Sequence, residues 1–310
     1  MSYRVLVTSR SFGEVSGEPE ALLTENGFSV WKPEKKGLME EEELCRLLPD
    51  CDAMIIGAEK LTARAMDCAP RLRIVCKHGT GLDNIDLEAA RARGICVKNV
   101  PAVNAVAVAE TAVGLMLDVS RKISYAASLV KKGGWERCIG QSLAGKRLGI
   151  VGLGKIGREV AVRAHSFAME ITAYDPACPD SPREFPFVRM APLSEILSQS
   201  DVITLHLPLT EKTRGMISAE QMDQMKPGAI LINTARGGIV NEDDLYRYVK
   251  SGRLGGAGLD VTVQEPPAGS PLLTLDNVVV LPHMASYSRE SLNAISLICV
   301  ENIIRLFQNV

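Results

Sequence analysis

A chain of 310 residues is long for one hydrophobic core and about right for two domains, and 46% hydrophobic with 23% charged residues is the composition of a soluble globular protein. A net charge of −2 gives no electrostatic reason to bind nucleic acid or an anionic membrane, so neither is expected as a partner. The eight cysteines are scattered, without a CxxC pair or a neighbouring histidine, which argues against a metal site or disulfide framework and for reduced thiols in a cytoplasmic protein.

The start, Met1-Ser2-Tyr3-Arg4, runs directly into a strand-like segment and does not read as a signal peptide. Up to Val97, short apolar runs alternate with helical patterns. Strands are expected at residues 5–7, 28–30, 53–56, 73–76 and 95–97, with helices at 18–25, 40–48, 62–68 and 87–93. Such alternation implies a parallel sheet covered on both faces. This half contains no GxGxxG, so it is not expected to hold a dinucleotide. Pro101 breaks the pattern and marks a hinge. A helix over 104–121 follows, apolar on most sides and therefore in need of partners on most sides. The apolar run 100–119 carries Asn104, Glu110 and Asp118, which makes it a poor bilayer span. Residues 124–145, with Lys131-Lys132-Gly133-Gly134-Trp135, have weaker periodicity and read as a mobile loop or, the sharper reading, as an arm packing on a second subunit.

The next stretch organises the rest of the chain. Leu148-Gly149-Ile150-Val151 is strand-like and leads into Gly152-Leu153-Gly154-Lys155-Ile156-Gly157. Val160, Ala161, Ala164, Phe167 and Ala168 then recur at helical spacing, and a second strand, Ile171-Thr172-Ala173-Tyr174, ends on Asp175. For a dinucleotide each part has a physical task. Gly152 makes the tight turn, Gly154 lets the backbone approach a pyrophosphate, Gly157 lets helix and strand pack closely, and the helix start offers N–H groups to the phosphates. Asp175 is placed to accept hydrogen bonds from the adenosine ribose. Its charge would repel a 2′-phosphate, and Pro176-Ala177-Cys178 supplies no cation for one, so NAD is favoured over NADP.

After Asp175 strands are expected at 202–205, 229–232, 257–259 and 278–281, and helices at 193–198, 219–225, 242–250 and 289–307. Six strands complete a second doubly wound domain, whose ligand crevice lies at the strands' carboxyl ends. Polar residues stand at those ends: His206, Asn233-Thr234-Ala235-Arg236-Gly237-Gly238, Asp260 with Glu265, and His283. Hydride transfer from a secondary alcohol asks for such groups. A histidine takes the hydroxyl proton near neutral pH, a carboxylate such as Glu265 orients it, and a guanidinium such as Arg236 binds a substrate carboxylate in bidentate fashion. Asp260 is a candidate acceptor for the nicotinamide carboxamide.

These motifs, with Pro282-His283 and with His78-Gly79-Thr80-Gly81-Leu82-Asp83-Asn84-Ile85-Asp86 in the first half, resemble the D-isomer-specific 2-hydroxyacid dehydrogenases, and within them most closely the branch that acts on D-3-phosphoglycerate in serine biosynthesis. The resemblance covers nearly the whole chain. It implies an α/β fold of two doubly wound parallel-sheet domains, a Rossmann NAD domain over 101–284 inserted into a flavodoxin-like substrate domain over 1–100 and 285–310. It implies Arg236, Glu265 and His283 as the catalytic set. Cofactor contacts carry over to Gly152, Gly154, Lys155, Ile156, Gly157, Asp175, His206, Leu207, Pro208, Thr234, Ala235, Asp260 and Ser286. Substrate contacts carry over to Lys77, His78, Gly79, Thr80 and Asn104, the Gly79 and Thr80 N–H groups meeting the carboxylate. A homodimer through the helix and arm of 104–145 is also implied.

The sequence departs from the family at three places. It stops at Val310, so the regulatory domain of many phosphoglycerate-specific members is expected to be absent. An arginine often used there for the phosphate falls at Ile56, leaving Lys77, His78 and, as a third candidate, Lys60 for the phosphate. Ala285 stands where a glycine is usual. The expected activity is therefore NAD-dependent interconversion of a D-2-hydroxy acid and its 2-keto acid, with 3-phosphoglycerate as first substrate and glyoxylate or hydroxypyruvate reduction as alternative. A non-catalytic NADH sensor would not need Arg236, Glu265 and His283 together, and a methyltransferase would leave all three idle.

Overall fold

In the computed structural model, which describes residues 3–34, 37–101, 103–178, 180 and 182–308, the strand and helix alternation builds two separate parallel sheets. The chain divides into unit 1, Met1–Asn104 with Tyr287–Val310, and unit 2, Ala105–Ser286. The domain limits expected at residues 1 and 310 lie outside the described residues.

Unit 1 runs β1 (Tyr3–Val7), α1 (Glu18–Glu25), β2 (Phe28–Trp31), α2 (Glu41–Leu47), β3 (Ala53–Ile56), α3 (Ala63–Asp67), β4 (Ile74–Lys77), α4 (Leu87–Ala92) and β5 (Cys96–Lys98). Its sheet has the order β2-β1-β3-β4-β5, that of flavodoxin-like folds, and every pairing is parallel. β3 is buried along its whole length, as a strand covered on both faces must be. Leu44, Met66 and Ala90 fill one face, and Leu23 fills the other with Ile295, Cys299 and Ile303 from the final helix. Local chemistry starts the helices: the Thr62 hydroxyl accepts from Ala65 N–H, and the Asp86 carboxylate from Ala89 N–H.

Unit 2 opens with α5 (Ala105–Arg121) and α6 (Ile123–Lys131). It continues through β6 (Arg147–Val151), α7 (Lys155–Ser166), β7 (Glu170–Tyr174), β8 (Val188–Met190), α8 (Leu193–Gln199), β9 (Val202–Leu205), α9 (Ala219–Gln224), β10 (Ile230–Asn233), α10 (Glu242–Lys250), β11 (Gly256–Leu259) and β12 (Val278–Val280). α11 (Arg289–Gln308) then belongs to unit 1. The sheet order β12-β11-β10-β9-β6-β7-β8 reverses direction between β6 and β9. That switch point is where an open α/β sheet forms its ligand crevice.

Two expectations need correction here. The sheet has a seventh strand, β8, at its edge; three residues with Arg189 in the middle leave no apolar run to read. Part of the expected arm is a regular helix, α6, none of whose residues is buried. α5 behaves as expected: Ala109, Ala112, Leu115 and Met116 pack with Leu148, Ile150, Val160 and Ala164 in one core of unit 2. α10 shows why its sequence is helical. Asn241 caps it by accepting from Asp244 N–H, Glu242-Asp243-Asp244 sit at its positive end, and Arg247 and Lys250 at its negative end.

Candidate active site

The glycine loop lies where β6 meets α7. Gly152 has φ +102°, a conformation that L side chains rarely adopt, and a Cβ there would meet the His206 carbonyl oxygen at 2.7 Å. A Cβ on Gly157 would sit 2.1 Å from the Gly152 oxygen, so the helix approaches the strand only without a side chain. At Gly154 nothing lies within 4 Å of the added Cβ. The start of a 12-residue helix thus faces open space, with a glycine as its cap residue. That geometry fits a pyrophosphate against the N–H groups of α7. Lys155 is exposed and Ile156 half-buried behind it.

Asp175 closes the loop. Its Oδ2 accepts from Leu153 N–H and its Oδ1 from Ala177 N–H, both at 2.8 Å, a bracing role that its place in the sequence did not reveal. A cleft of about 350 Å³ opens beside it, lined by Tyr174, Asp175, Pro176, Met190, Ala191 and Pro192. Its mixed apolar walls and one carboxylate suit an adenosine.

At the end of β9, His206 shares a 2.9 Å hydrogen bond between its Nε2 and the Thr204 hydroxyl, and burial pushes its pKa down to about 3. The ring is therefore neutral. Its Nδ1 and the Thr234 hydroxyl, both enclosed at strand ends, have no hydrogen-bond partner among the described residues. Leu207 packs close to Gly152, and the exposed Pro208 offers its carbonyl to the Thr213 hydroxyl at 2.6 Å.

Beyond β11 and β12 the polar groups meet. His283 Nδ1 is 2.7 Å from Glu265 Oε2. Hydrogen bonding to Glu265 raises the His283 pKa against the opposing effect of burial, and the charges of Glu265 and Asp260 act in the same direction. Burial would raise the Glu265 pKa, but the His283 hydrogen bond and charge, Thr262 N–H and Arg236 together hold it below the usual carboxylate value. The positive charge of Arg236 bears on both partners. His283 itself sits at φ +52°, in the left-handed region, which is uncommon for any residue with a side chain.

Neighbours that sequence reasoning missed, or assigned otherwise, hold this group in place. Asp260, expected at the nicotinamide, accepts Met284 N–H on Oδ1 at 2.7 Å and Ala285 N–H on Oδ2 at 3.0 Å, and its carbonyl accepts His283 N–H. It therefore shapes the turn that carries His283, and burial raises its own pKa. Ala285 is buried between that carboxylate and the Thr111 hydroxyl, with Ser286 half-buried after it. Asn233 bridges the Arg236 loop, donating to Arg236 O at 2.8 Å and accepting from Ala235 N–H at 3.0 Å. Arg236 Nη1 donates to Ala235 O. Thr262 N–H reaches Glu265 Oε1 at 3.2 Å, and Glu242, from the first turn of α10, accepts Val263 N–H at 2.6 Å. Only a buried polar residue just past a strand end signals such braces, and that signal does not say which loop is braced.

In unit 1 the expected substrate residues lie close together after β4, but their groups are engaged. Lys77 donates to Gly57 O, and to Asn84 Oδ1 at 2.9 Å. His78 contacts the Ser11 hydroxyl through Nδ1 and the Ser296 hydroxyl through Nε2, and burial with the Lys77 charge lowers its pKa to about 4. The His78 ring is thus neutral and bonded on both sides. Gly79 N–H, expected at a carboxylate, already donates to Lys77 O. Thr80 donates its hydroxyl to Val100 O at 3.1 Å and stands 3.4 Å from Asn104 Oδ1. Ile56 is fully buried. Among the described residues no group of three or more His, Cys, Asp or Glu is placed to hold a metal, and no helix is long and apolar enough to cross a membrane.

Residues 113–285 match the family model of the D-isomer specific 2-hydroxyacid dehydrogenase NAD binding domain. The chain is 43% identical over 273 residues to a hydroxypyruvate reductase of Thermotoga maritima, covering 86% of this chain and 88% of that protein. It is 41% identical over 296 residues to a D-3-phosphoglycerate dehydrogenase of Archaeoglobus fulgidus, covering 94% of this chain and 56% of the relative. The chain spans about half the length of the D-3-phosphoglycerate dehydrogenases that it matches. The crystal structure of D-lactate dehydrogenase from Aquifex aeolicus, complexed with NAD and lactic acid, is similar at a TM-score of 0.84 with 27% identity, covering 99% of this chain and 96% of that one.

Proposed function

The chain belongs to the D-isomer-specific 2-hydroxyacid dehydrogenases, and from that premise we propose that it is an NAD-dependent oxidoreductase interconverting a D-2-hydroxy acid and its 2-keto acid. The observation that carries this reading is the 2.7 Å His283–Glu265 pair with the charge of Arg236 bearing on it. Bound at the glycine loop, NAD would supply the hydride acceptor for the carbinol carbon, or the hydride donor in the reverse direction. Glu265 holds His283 by Nδ1, which leaves Nε2 to exchange a proton with the substrate oxygen. Arg236 binds the substrate carboxylate and polarises the neighbouring carbonyl. Gly79, Thr80 and Asn104 remain proposed contacts of the acid, and the composition supports a cytoplasmic setting.

Two substrates compete. Relatives named D-3-phosphoglycerate dehydrogenases support 3-phosphohydroxypyruvate. The neutral His78, the internally bonded Lys77 and the buried Ile56 support an unphosphorylated acid such as hydroxypyruvate or glyoxylate. A panel of 2-keto acids with NADH, followed at the nicotinamide absorbance, decides between them. A phosphorylated substrate predicts higher kcat/KM on 3-phosphohydroxypyruvate and a preference that shrinks in Lys77→Met. The reverse ranking selects the unphosphorylated acid, and NADH binding with no turnover on any member would refute the enzyme reading.

Cofactor choice follows from Asp175. NADH is expected to be used more efficiently than NADPH, and Asp175→Asn, which keeps an acceptor for Leu153 N–H while removing the charge, should narrow the gap. Equal efficiency with both cofactors in the unmodified protein contradicts the assignment.

We also propose a homodimer through α5, α6 and the segment after them. Ile123, Val130, Trp135 and Ile139 are exposed at 53%, 51%, 84% and 89%, an apolar set that a monomer leaves in water. Sedimentation should give a dimer, and Trp135→Asp should shift it towards monomer; a monomeric unmodified protein ends this reading.

A further inference from the structure

Side chains remote from one another in sequence close a single chain of hydrogen bonds through unit 1. Ser9 and Ser11 follow β1, His78 follows β4, and Ser296 lies on α11. The Ser9 and Ser11 hydroxyls are 3.3 Å apart, and Ser11 Oγ is 3.2 Å from His78 Nδ1. On the other side His78 Nε2 is 2.8 Å from Ser296 Oγ, and the Ser296 hydroxyl donates to Leu292 O at 2.8 Å. The three serines are at most 7% exposed, so water offers them no ready alternative partner. Phe12, also buried, meets the ring edge-on with 6.1 Å between centroids. One hydrogen per hydroxyl orients this chain. That of Ser296 goes to Leu292 O, so Ser296 Oγ accepts from His78 Nε2–H. The ring is neutral, which leaves Nδ1 to accept from Ser11, and Ser11 in turn accepts from Ser9. The opposite tautomer would keep the contacts between side chains and lose the bond to Leu292 O.

The backbone that carries this ring leads directly into the Gly79–Thr80 turn. His78 N–H donates to Ile56 O at 2.9 Å, Val100 N–H donates to Gly79 O at 2.9 Å, and the Thr80 hydroxyl holds Val100 O. Thr80 N–H, by contrast, donates to no group among the described residues, and Thr80 is exposed. We propose that His78, as its Nε2–H tautomer, is a positioning residue that fixes the loop presenting Thr80 N–H to the substrate carboxylate. The carboxylate part rests on the 2-hydroxyacid reading given above. Both ring nitrogens are engaged, so His78 acts through the loop and not on the substrate. A side chain tied at each nitrogen to a different segment cannot turn or shift without breaking a buried hydrogen bond. Residues 79 and 80 therefore keep their place before substrate arrives, and binding spends less on ordering them.

Long-range proton–nitrogen NMR spectra of the full chain at neutral pH report the tautomer, with His78 assigned among the four histidines by the signal lost in His78→Gln. A proton on Nε2 and a bare Nδ1 are expected. Kinetics on the 2-keto acid that the protein reduces best supply the second readout. His78→Ala should raise its KM about tenfold, the effect of losing most of one charge-assisted hydrogen bond, with kcat and NADH affinity little changed. His78→Gln, whose amide N–H can still donate to Ser296, should recover most of that loss. Should His78→Ala fail to fold, Ser296→Ala carries the same test. It leaves Nε2 without an acceptor, so the proton should move to Nδ1 and KM should rise. A bare Nε2 or a doubly protonated ring in the unmodified protein, an unchanged KM in the variants, or a loss confined to kcat would overturn the proposal. No turnover of any 2-keto acid by the unmodified protein would instead refute the enzyme reading, and with it the substrate role of the loop, while the spectrum would still decide the ring.

Discussion

His283→Ala is expected to lower kcat for 2-keto acid reduction by about 10²–10⁴-fold, the usual contribution of a positioned acid–base group. Glu265→Gln should act more gently and with a diagnostic sign. Glu265 raises the His283 pKa, so in the unmodified protein the imidazolium persists to higher pH than an isolated histidine allows. Keto-acid reduction needs that protonated form, so its rate holds at low pH and falls as pH rises through the raised pKa. Removing the carboxylate charge lowers the pKa and moves the fall to lower pH. Hydroxy-acid oxidation needs neutral His283, so its rising limb should move to lower pH in the same variant. Steady-state pH profiles in both directions check this. Identical profiles for Glu265→Gln and the unmodified protein would break the proposed coupling.

What could be read from sequence follows from how local each signal is. The glycine loop was legible because a strand, a turn without Cβ atoms, a helix and an acid lie within 28 residues, 148–175, and each has its own local pattern. Arg236, Glu265 and His283 were legible as polar residues just past apolar strands, and parallel pairing of β10, β11 and β12 brings those strand ends to one side of the sheet. α6 was obscured because Lys122, in the left-handed conformation at φ 56°, precedes it with no capping side chain to mark its start. The surroundings of His78 were not legible for a different reason. Its ring partners, Ser11 and Ser296, are 67 and 218 residues away, and no local spacing announces them. Asp260 was legible as a polar strand-end residue, but its acceptance of Met284 and Ala285 N–H was not, since it depends on how the turn after β12 returns to β11.

The Arg236 loop should respond strongly to two small changes. Lysine keeps the charge of Arg236 but not the planar two-donor fork, so Arg236→Lys gives up one of the two bonds to the substrate carboxylate. A charge-assisted hydrogen bond contributes roughly 1.5–3 kcal/mol, and each 1.4 kcal/mol is about tenfold. The expected loss in kcat/KM is therefore roughly 10–100-fold. Gly237→Ala reaches the same loop from behind. The added Cβ would lie 2.1 Å from the Thr262 carbonyl carbon and 2.3 Å from its oxygen, both backbone atoms. Thr262 and Val263 cannot easily give way, because their N–H groups are held by Glu265 and Glu242. The displacement must pass to Arg236 on one side or Glu265 on the other, so both partners of the reaction move at once. Overpacking of this kind costs about 1–3 kcal/mol in stability, which lowers Tm but leaves a folded protein. The kcat/KM of Gly237→Ala should fall at least as far as that of Arg236→Lys, while NADH fluorescence titration still reports binding at the distant glycine loop. Unchanged kcat and KM in Arg236→Lys would remove Arg236 from the site, and a fully active Gly237→Ala would show that the two loops do not set each other's position.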